Sequence, residues 1–466
     1  MSLNTPSEPT APEPTGARAV GCHPATTLVG LARWVALGAA SGLLAGLASW
    51  VILTALNQAT TARLDHGWLI WLLPVAGLTV GGAYHYLGGR SSEGNALLLD
   101  QIHEPTAWIP RRMAPLVGVG TVVSHLFGAS VGREGTALQM SGSLTDWLAR
   151  RLGLRQADRR ILLTAALGGG FGAMFGVPLA GAVFGLEVQR VSWHGHRART
   201  RPVLFAGFRD GTWIHRVTAT LTAAWVGDRV VRGLGYRQLV FTRLHIGVDP
   251  ALLGRAAMAG VAFGLTSIVF VEATDLVRSV SRRAISWAPA RPAIGAVLVL
   301  GAVALVGRDY LGLSLPLAEA ALSGSHTDLQ VPFLKLAFTA LCLGAGFVGG
   351  EVTPLFIIGA TLGSAIAPTL GLSPVVGAVI GFVAVFGGAA NTPIACMVMG
   401  YELFGTGAVA PVVVACVVAY LCSGRRGIYP TQRRTVGTGR VAVSELPDPG
   451  QRLAARRRRP RFHPGF

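Results

Sequence analysis

Charge is scarce in this sequence. Asp, Glu, Lys and Arg together make up 13% of the 466 residues, and hydrophobic residues make up 51%. Because soluble domains carry about 25% charged residues, this balance excludes an ordinary soluble protein. Long apolar runs recur at 31–56, 67–89 and 251–273, and the region 334–421 is almost continuously apolar. A helix needs about 20 apolar residues to cross a bilayer, so these runs predict a polytopic helical membrane protein.

Cysteine is also rare, and the motifs of common enzymes are missing. The five cysteines have no paired spacing, which excludes a disulfide framework and a Cys-rich metal site. Neither an HExxH motif nor a nucleophile elbow is present, so the sequence does not indicate an enzyme. No cofactor is expected. Four cysteines lie in apolar segments and are predicted to be small buried hydrophobes: Cys342, Cys396, Cys416 and Cys422.

Lysine occurs once, as Lys335, among 40 basic residues, and the formal net charge is +18. The arginines gather at short joints between apolar runs (149–160, 278–283 and 424–427), as in cytoplasmic loops of membrane proteins. This distribution argues against a nucleic-acid partner. The Arg-rich end, 452–466, favours contact with anionic lipid headgroups. Both termini are therefore predicted to be cytoplasmic.

Two blocks of the sequence repeat in the same order at nearly the same offset. Residues 132–142 match 349–359, and residues 171–187 match 386–402. The chain is thus predicted to contain two homologous halves flanked by tails: a disordered N-terminal tail at 1–25, halves at 26–235 and 250–435, and a basic C-terminal tail at 436–466. Transporter halves often have inverted topology, and a parallel repeat is the alternative.

The repeated blocks share a chemistry that suits a small anion. Each has glycines ahead of an apolar helix, with a Glu and a Thr in the first turn. Glycine lets backbone N–H groups approach a ligand, and a helix N-terminus presents unpaired N–H donors and a positive dipole end. Two such helix starts that meet within the membrane would hold an anion. Segments 91–102 and 423–432 are further glycine-led starts.

The segments EGNAL, GREGT, GGEVTP and GIY resemble, in this order, the helix starts of the CLC chloride channel and transporter family. The resemblance extends from about residue 30 to residue 435. It implies an all-α membrane fold of two inverted-topology repeats, in which broken helices meet at a central anion site. It also implies a homodimer with one pathway in each subunit. Glu134 of GREGT corresponds to the family's external gating glutamate, and Tyr429 to the tyrosine that faces the anion from inside.

Departures from the chloride pattern resemble the bacterial fluoride branch of the family. Asn95 stands where chloride members carry the serine of the inner gate, and GGEVTP replaces the usual third motif. Members of that branch export fluoride in exchange for protons, which implies a multi-pass protein of the bacterial inner membrane. The alternative is a chloride/proton antiporter or passive chloride channel on the same fold. Val188 replaces the internal proton-relay glutamate of many exchangers, and the segment 193–216 is longer and more polar than a short link.

Glu134 is predicted to act as a protonatable anion mimic. When ionised, a carboxylate at a glycine-led helix start is stabilised by backbone donors, and when protonated it loses that attraction. One site cannot hold both the carboxylate and fluoride, which couples the two ions. The alternative is a helix-capping glutamate. Arg133 is expected to set the field near the external mouth rather than bind the transported ion.

Fluoride is tightly hydrated, so its site needs several strong donors. Asn95 offers two amide N–H groups, and Thr353 and Tyr429 each offer a hydroxyl. Asn95 could instead cap its helix, and Thr136 has the same ambiguity. The main chain and neighbouring residues complete the predicted anion-binding set: Gly132, Gly135 and Val352.

The remaining polar residues in apolar segments have two interpretations each. Glu351, the repeat mate of Glu134, is predicted to be a second protonatable group, with a structural hydrogen bond as the alternative. Glu187 and Glu402 are predicted to be structural acceptors near helix ends, and Glu187 is also a candidate for the inner proton route that Val188 does not supply. His125 is predicted to be a packed polar residue, with a proton carrier as the alternative.

Overall fold

The computed structural model describes residues 24–191 and 212–434, apart from positions 237, 239, 240, 242, 245, 246, 248, 326 and 425. Nearly all of the predicted N-terminal tail, the basic C-terminal tail and most of the polar segment 193–216 lie outside the described residues. The division predicted between the two halves falls in the connection between the helix that ends at Gly233 and the one that begins at Pro250.

The described part of the chain is helical, as the sequence predicts, apart from one short strand pair. The helices are α1 Pro24–Asp65, α2 Leu73–Ala83, α3 Asn95–His103, α4 Met113–Leu126, α5 Glu134–Arg151, α6 Gln156–Phe175, α7 Pro178–Glu187, α8 Thr212–Gly233, α9 Pro250–Ala284, α10 Ala290–Val306, α11 Leu315–Leu322, α12 Gln330–Ala345, α13 Val352–Ile366, α14 Pro374–Ala390, α15 Pro393–Phe404 and α16 Val409–Ser423. The strands β1 Arg190–Val191 and β2 Arg433–Arg434 pair in parallel, with Arg190 opposite Arg433.

Several of these helices are too short to cross a bilayer alone. Within the described residues, four helical stretches are long and apolar enough: Leu28–Asp65, Gly67–His103, Pro250–Ala284 and Thr406–Ser423. The other apolar helices, which include α13 and α15, have 10–17 residues. Irregular backbone at membrane depth is tolerated where it is buried in protein or lines a cavity, so helices that end inside the membrane mark the place to look for a site.

The helix ends follow from local sequence and correspond between the halves. Asp249 caps α9 by accepting a bond from the N–H of Leu252 (2.5 Å), and Pro250 occupies the first turn. Helix α6 is capped by Gly176, which follows its last residue in the left-handed conformation (φ 74°) that glycine adopts at little cost. Its repeat mate Asn391 caps α14 in the same conformation (φ 55°), and asparagine tolerates this region better than most side chains.

Close helix packing uses small residues. Gly359 and Gly363 of α13 lie directly against the carbonyl groups of Gly381 and Gly377 of α14, where a Cβ on any of the four would collide with backbone. This paired small-xxx-small arrangement is typical of membrane helices, which associate through van der Waals packing. Three of the cysteines, Cys342, Cys396 and Cys416, are buried and free, as predicted, and Cys422 is partly buried.

The two halves cap each other's helices reciprocally. Glu187 is the last residue of α7 and Glu402 lies in the last turn of α15. Each carboxylate accepts bonds from two main-chain N–H groups at the start of the other helix: Ile394 and Ala395 for Glu187 (3.1 and 2.8 Å), and Leu179 and Ala180 for Glu402 (3.0 and 2.7 Å). The prediction that these two glutamates are structural acceptors is therefore confirmed. Their bonds satisfy helix-start donors that have no partner within their own helix.

Candidate functional site

A bridge between two glycines brings the repeated motifs together. The N–H of Gly132 donates to the carbonyl of Gly350 (2.6 Å), and the N–H of Gly350 donates to the carbonyl of Gly132 (2.7 Å). A Cβ on Gly132 would lie 2.8 Å from the Gly350 oxygen and equally close to Pro354 Cδ. Only glycine therefore fits, and the starts of α5 and α13 are held side by side.

The carboxylate of Glu134 lies at the N-terminus of the other half's helix. Glu134 is the first residue of α5 and is fully buried (0% exposed). Its Oε2 accepts bonds from the main-chain N–H groups of Thr353 (3.0 Å) and Arg133 (3.1 Å), and its Oε1 accepts a bond from the Thr353 hydroxyl. Thr353 is in the first turn of α13, whose N–H groups have no intrahelical partner. A negative group therefore occupies a position with the donors and dipole that suit an anion.

Asn95 points towards this pair of helix starts. It is the first residue of α3, and Gly94 before it has a φ of 60°. The cap position of α3 is Gly94, and the side-chain oxygen of Asn95 accepts no bond from a helix-start N–H among the described residues, so the capping interpretation does not describe Asn95. Its Nδ2 lies close to Gly135, where a Cβ would be 3.2 Å from it, and its buried Oδ1 has no hydrogen-bond partner among the described residues.

Tyr429 approaches the same region from the C-terminal end of the chain. The side chain is buried, its ring contacts Phe184 edge-on (6.5 Å between centroids), and its hydroxyl has no partner in the part of the chain that the structure describes. The carboxylates that act on it electrostatically are Glu351 and Glu134. A buried hydroxyl without a partner is uncommon and leaves a donor for a ligand.

Glu351 occupies the cap position of α13 without capping it. It makes no side-chain cap bond, and the charged groups that act on it are Arg278 and Asp275 of α9, which pair with each other (2.6 Å). No hydrogen bond of its side chain is found within the described ranges. Val352, next to it, is buried in the first turn of α13.

Thr136 is used differently from its repeat mate. Its hydroxyl lies 2.6 Å from the hydroxyl of Thr121, which in turn donates to the carbonyl of Val117 (2.8 Å). Since Thr121 has one proton, Thr136 must donate to Thr121, and its hydroxyl has no proton left for an anion. The Nδ1 of His125 bonds to the carbonyl of Thr121 (2.8 Å), which confirms the prediction of a packed polar residue.

A cavity leads away from Thr353. It has a volume of about 200 Å³ and its walls include Arg133, Phe356 and Phe382. An adjoining cavity of about 420 Å³ shares Arg133 and extends to the exposed Arg308. On the opposite side, Val188 is buried, and Glu187 is already committed to α15, so neither offers a free carboxylate there. No group of three His, Cys, Asp or Glu residues in the described ranges could hold a metal ion.

Comparisons with known proteins agree with this geometry. The family described as "Voltage gated chloride channel" matches residues 76–424. A protein of Pseudomonas syringae pv. tomato named "Chloride/fluoride channel protein" is 44% identical over 420 residues, which cover 86% of this chain and 87% of the relative. The "H(+)/Cl(-) exchange transporter ClcA" of Vibrio parahaemolyticus is 24% identical over 372 residues, 75% of each chain.

Two solved structures share the fold. The crystal structure of a CLC-type fluoride/proton antiporter superposes with a TM-score of 0.79 at 29% identity and covers 87% of this chain and 98% of that chain. A slow cyanobacterial Cl⁻/H⁺ antiporter gives a TM-score of 0.69 at 19% identity, covering 85% and 96%, and supports the fold alone. The match over most of the chain, together with the paired helix starts, shows that this membrane protein belongs to the CLC family of chloride channels and transporters.

Proposed function

We propose that this protein exports fluoride from the cell in exchange for protons. The observation that carries the proposal is the Glu134 carboxylate, which is bound by the N–H and the hydroxyl of Thr353 at the start of α13. The names of two similar proteins support fluoride as the substrate: a relative 44% identical is called a chloride/fluoride channel protein, and a structure 29% identical is called a fluoride/proton antiporter.

The exchange follows from competition for one set of donors. Ionised Glu134 holds the Thr353 N–H and hydroxyl, so an anion cannot bind there. Protonation removes the negative charge and with it most of the attraction to the helix start, so the side chain can leave. An anion that reaches the vacated donors keeps Glu134 away until the anion departs. A proton and an anion therefore take turns at the same place, and movement of one requires movement of the other.

A fluoride site needs strong hydrogen-bond donors because fluoride must lose its tightly bound hydration shell to bind. Beside Thr353, the groups available to supply them are the amide of Asn95 and the unpaired hydroxyl of Tyr429. Main-chain N–H groups at the starts of α5 and α13, near Gly135 and Val352, complete the set. An amide with two N–H groups in place of a serine hydroxyl favours the harder, smaller anion.

Glu351 is the proposed second protonatable group, on the side of the pathway away from Glu134. Its side chain has no hydrogen bond among the described residues, and the charged groups that act on it are Arg278 and Asp275, which pair with each other, so its carboxyl is available to take up and release a proton. Val188 supplies no carboxylate on that side, and Glu187 is occupied by α15. We further propose that the protein lies in the bacterial inner membrane as a homodimer, with 26–235 and 250–435 as inverted halves and both termini cytoplasmic.

The test is ion efflux from proteoliposomes loaded in parallel with fluoride or chloride, with external pH recorded. We expect fluoride efflux to exceed chloride efflux greatly and to be accompanied by proton uptake. Glu272→Gln, which removes a surface carboxylate paired with Arg426 (3.0 Å), is the control and should behave as the unaltered protein. Chloride efflux as fast as fluoride efflux would contradict the substrate, and fluoride efflux without proton movement would contradict the exchange.

A passive anion channel is the second candidate. The relative from Pseudomonas syringae pv. tomato is named a channel protein, and Val188 stands where many exchangers have a proton-relay carboxylate. A channel would let fluoride flow until its gradient is gone and would not drive protons uphill. The pH record in the same assay separates the two.

A further inference from the structure

Two buried arginines line the cavity that lies beyond Glu134. Arg63 is in the last turn of α1 and Arg133 directly precedes Glu134, and their exposures are 9% and 8%. Both line the cavity of about 420 Å³. The sequence predicted a role for Arg133 near the external mouth because Arg133 belongs to the GREGT motif. Arg63 lies 70 positions earlier and belongs to no motif, so the sequence did not predict its place in the cavity.

Neither guanidinium is fully satisfied. The buried Nη1 of Arg63 and Nε of Arg133 have no hydrogen-bond partner among the described residues. Arg63 makes no ion pair within those residues, and the carboxylate nearest Arg133 is Glu134, 3.7 Å from its Nε. Arg63 is thus a buried charge without an ionic partner in the described part of the chain, and Arg133 depends there on Glu134 alone, whose charge is lost when it is protonated. A buried charge without a partner is costly, so this cavity favours a ligand of opposite charge.

The wall behind Arg63 is fixed by the only lysine of the chain. Lys335 is fully buried (0% exposed), and its Nζ lies within hydrogen-bond distance of four oxygens: Ser130 Oγ (3.0 Å), Tyr310 O (3.2 Å), Gly312 O (2.8 Å) and Ser314 Oγ (2.9 Å). These bonds fasten the loop 307–314 to the segment that leads into Gly132. A Cβ on Gly312 would collide with the Arg63 guanidinium, so this loop is in close contact with Arg63.

The charges around the cavity leave it positive where it is buried. Lys335 lies behind the cavity wall, where its four partners are neutral oxygens and bring no negative charge to the cavity. The other charged groups that line the cavity are Arg308, Asp309 and Glu319, which are exposed at the rim, where water screens them. A cleft lined by one sign of charge raises the local concentration of its counter-ion.

We propose that Arg63 and Arg133 form a second anion site, a waiting site for a small inorganic anion in the external vestibule next to the Glu134 gate. The site rests on the proposed anion pathway and goes beyond it, because it lies outside the donors that Glu134 occupies. It concentrates anions beside the gate on the external side. Since guanidinium groups and a roomy cavity do not demand a small ion, the site accepts bromide as well as fluoride.

Direct binding is tested by anomalous diffraction from crystals soaked in bromide. We expect an anomalous peak in the cavity lined by Arg63 and Arg133, and we expect it to disappear in Arg63→Gln. Arg308→Gln, which removes an exposed arginine from the same cavity, is the matched control and should keep the peak. Absence of a peak from the unaltered protein would overturn the proposal even if the variant did not fold.

Transport gives a second, sided readout. In Arg63→Gln we expect the external anion concentration that half-saturates exchange to rise about tenfold, the lower end of what electrostatic steering contributes. The maximal rate and the internal half-saturating concentration should stay unchanged, and Arg63→Lys should restore most of the external affinity. An unchanged external value in Arg63→Gln would contradict the waiting site. Failure of the unaltered protein to move any anion would contradict the proposed function instead, and the bromide peak would still decide the site.

Discussion

The starts of α5 and α13 carry the same motif and use it in opposite ways. Glu134 reaches across the glycine bridge to the donors of Thr353, whereas the side chain of its repeat mate Glu351 makes no hydrogen bond among the described residues and is influenced by the charges of Arg278 and Asp275 of α9. The threonines differ in parallel, since Thr353 bonds to Glu134 while Thr136 bonds to Thr121. The same motif therefore has two different hydrogen-bonding arrangements, because different neighbours compete for the same side chains, and this difference agrees with the proposed roles of Glu134 as gate and Thr353 as anion donor.

The helix-end glutamates show the opposite behaviour. Glu187 and Glu402 make equivalent pairs of bonds to each other's helices. Where both halves meet the same partner, the symmetry survives, and the role is structural. The symmetry is lost at the starts of α5 and α13, where the proposed anion site lies.

The largest effect is expected when Glu351 loses its charge. Glu351→Gln should reduce proton movement to background while fluoride still crosses, because an amide cannot take up and release a proton. Parallel records of pH and fluoride in proteoliposomes measure this, with Glu272→Gln as the control. Full proton coupling in Glu351→Gln would remove Glu351 from the proton route.

The next largest effect is expected to distinguish Thr353 from Thr136 in the rate of fluoride transport. Thr353→Val should lower the fluoride transport rate on the order of 100-fold, by analogy with the loss of one hydrogen-bond donor from an enzyme's oxyanion hole. Thr136→Val keeps the same change of shape but removes only a bond to Thr121, and should stay within a few-fold of the unaltered protein. Initial efflux rates at equal protein content compare them. Equal losses in both variants would contradict the asymmetry.

A smaller effect is expected at Asn95. Asn95→Ser should reduce the preference for fluoride over chloride about tenfold, because one hydrogen bond to a charged group contributes about 1.5–3 kcal/mol. The ratio of fluoride to chloride efflux from the same vesicle preparation measures it. An unchanged ratio would mean that the Asn95 amide does not touch the ion.

The symmetric glutamates should affect stability more than transport. Glu187→Gln and Glu402→Gln should each lower the free energy of unfolding by about 1–3 kcal/mol, since an amide replaces one of two acceptor oxygens. Thermal unfolding in detergent measures both. Since the two sites are equivalent in their bonds, shifts of similar size are expected, and a shift in only one would break the equivalence.

Sequence alone predicted the starts of α5 and α13 and their proximity, because a glycine motif at a helix start depends directly on backbone geometry. The positions of Gly132, Glu134 and Thr353 could be inferred from that pattern. The hydrogen bond of Thr136 could not be inferred, since it depends on how the packing of α4 places Thr121 beside it. Nor could the Arg63 cavity be predicted, because Arg63 and Arg133 lie far apart in the chain and meet only through packing. For Lys335, the only signal in the sequence was that the single lysine of the chain lies in an apolar region. Its four oxygen partners could not be predicted from that.

The most direct test of the gate is fluoride binding as a function of pH, measured by titration calorimetry on the unaltered protein and on Glu134→Gln. In the unaltered protein, the ionised carboxylate competes with fluoride, so binding should tighten as pH falls and Glu134 becomes protonated. In Glu134→Gln, no charge competes, so binding should be tight and nearly independent of pH over the same range. The same pH dependence in both proteins would contradict the claim that Glu134 and the anion share one site.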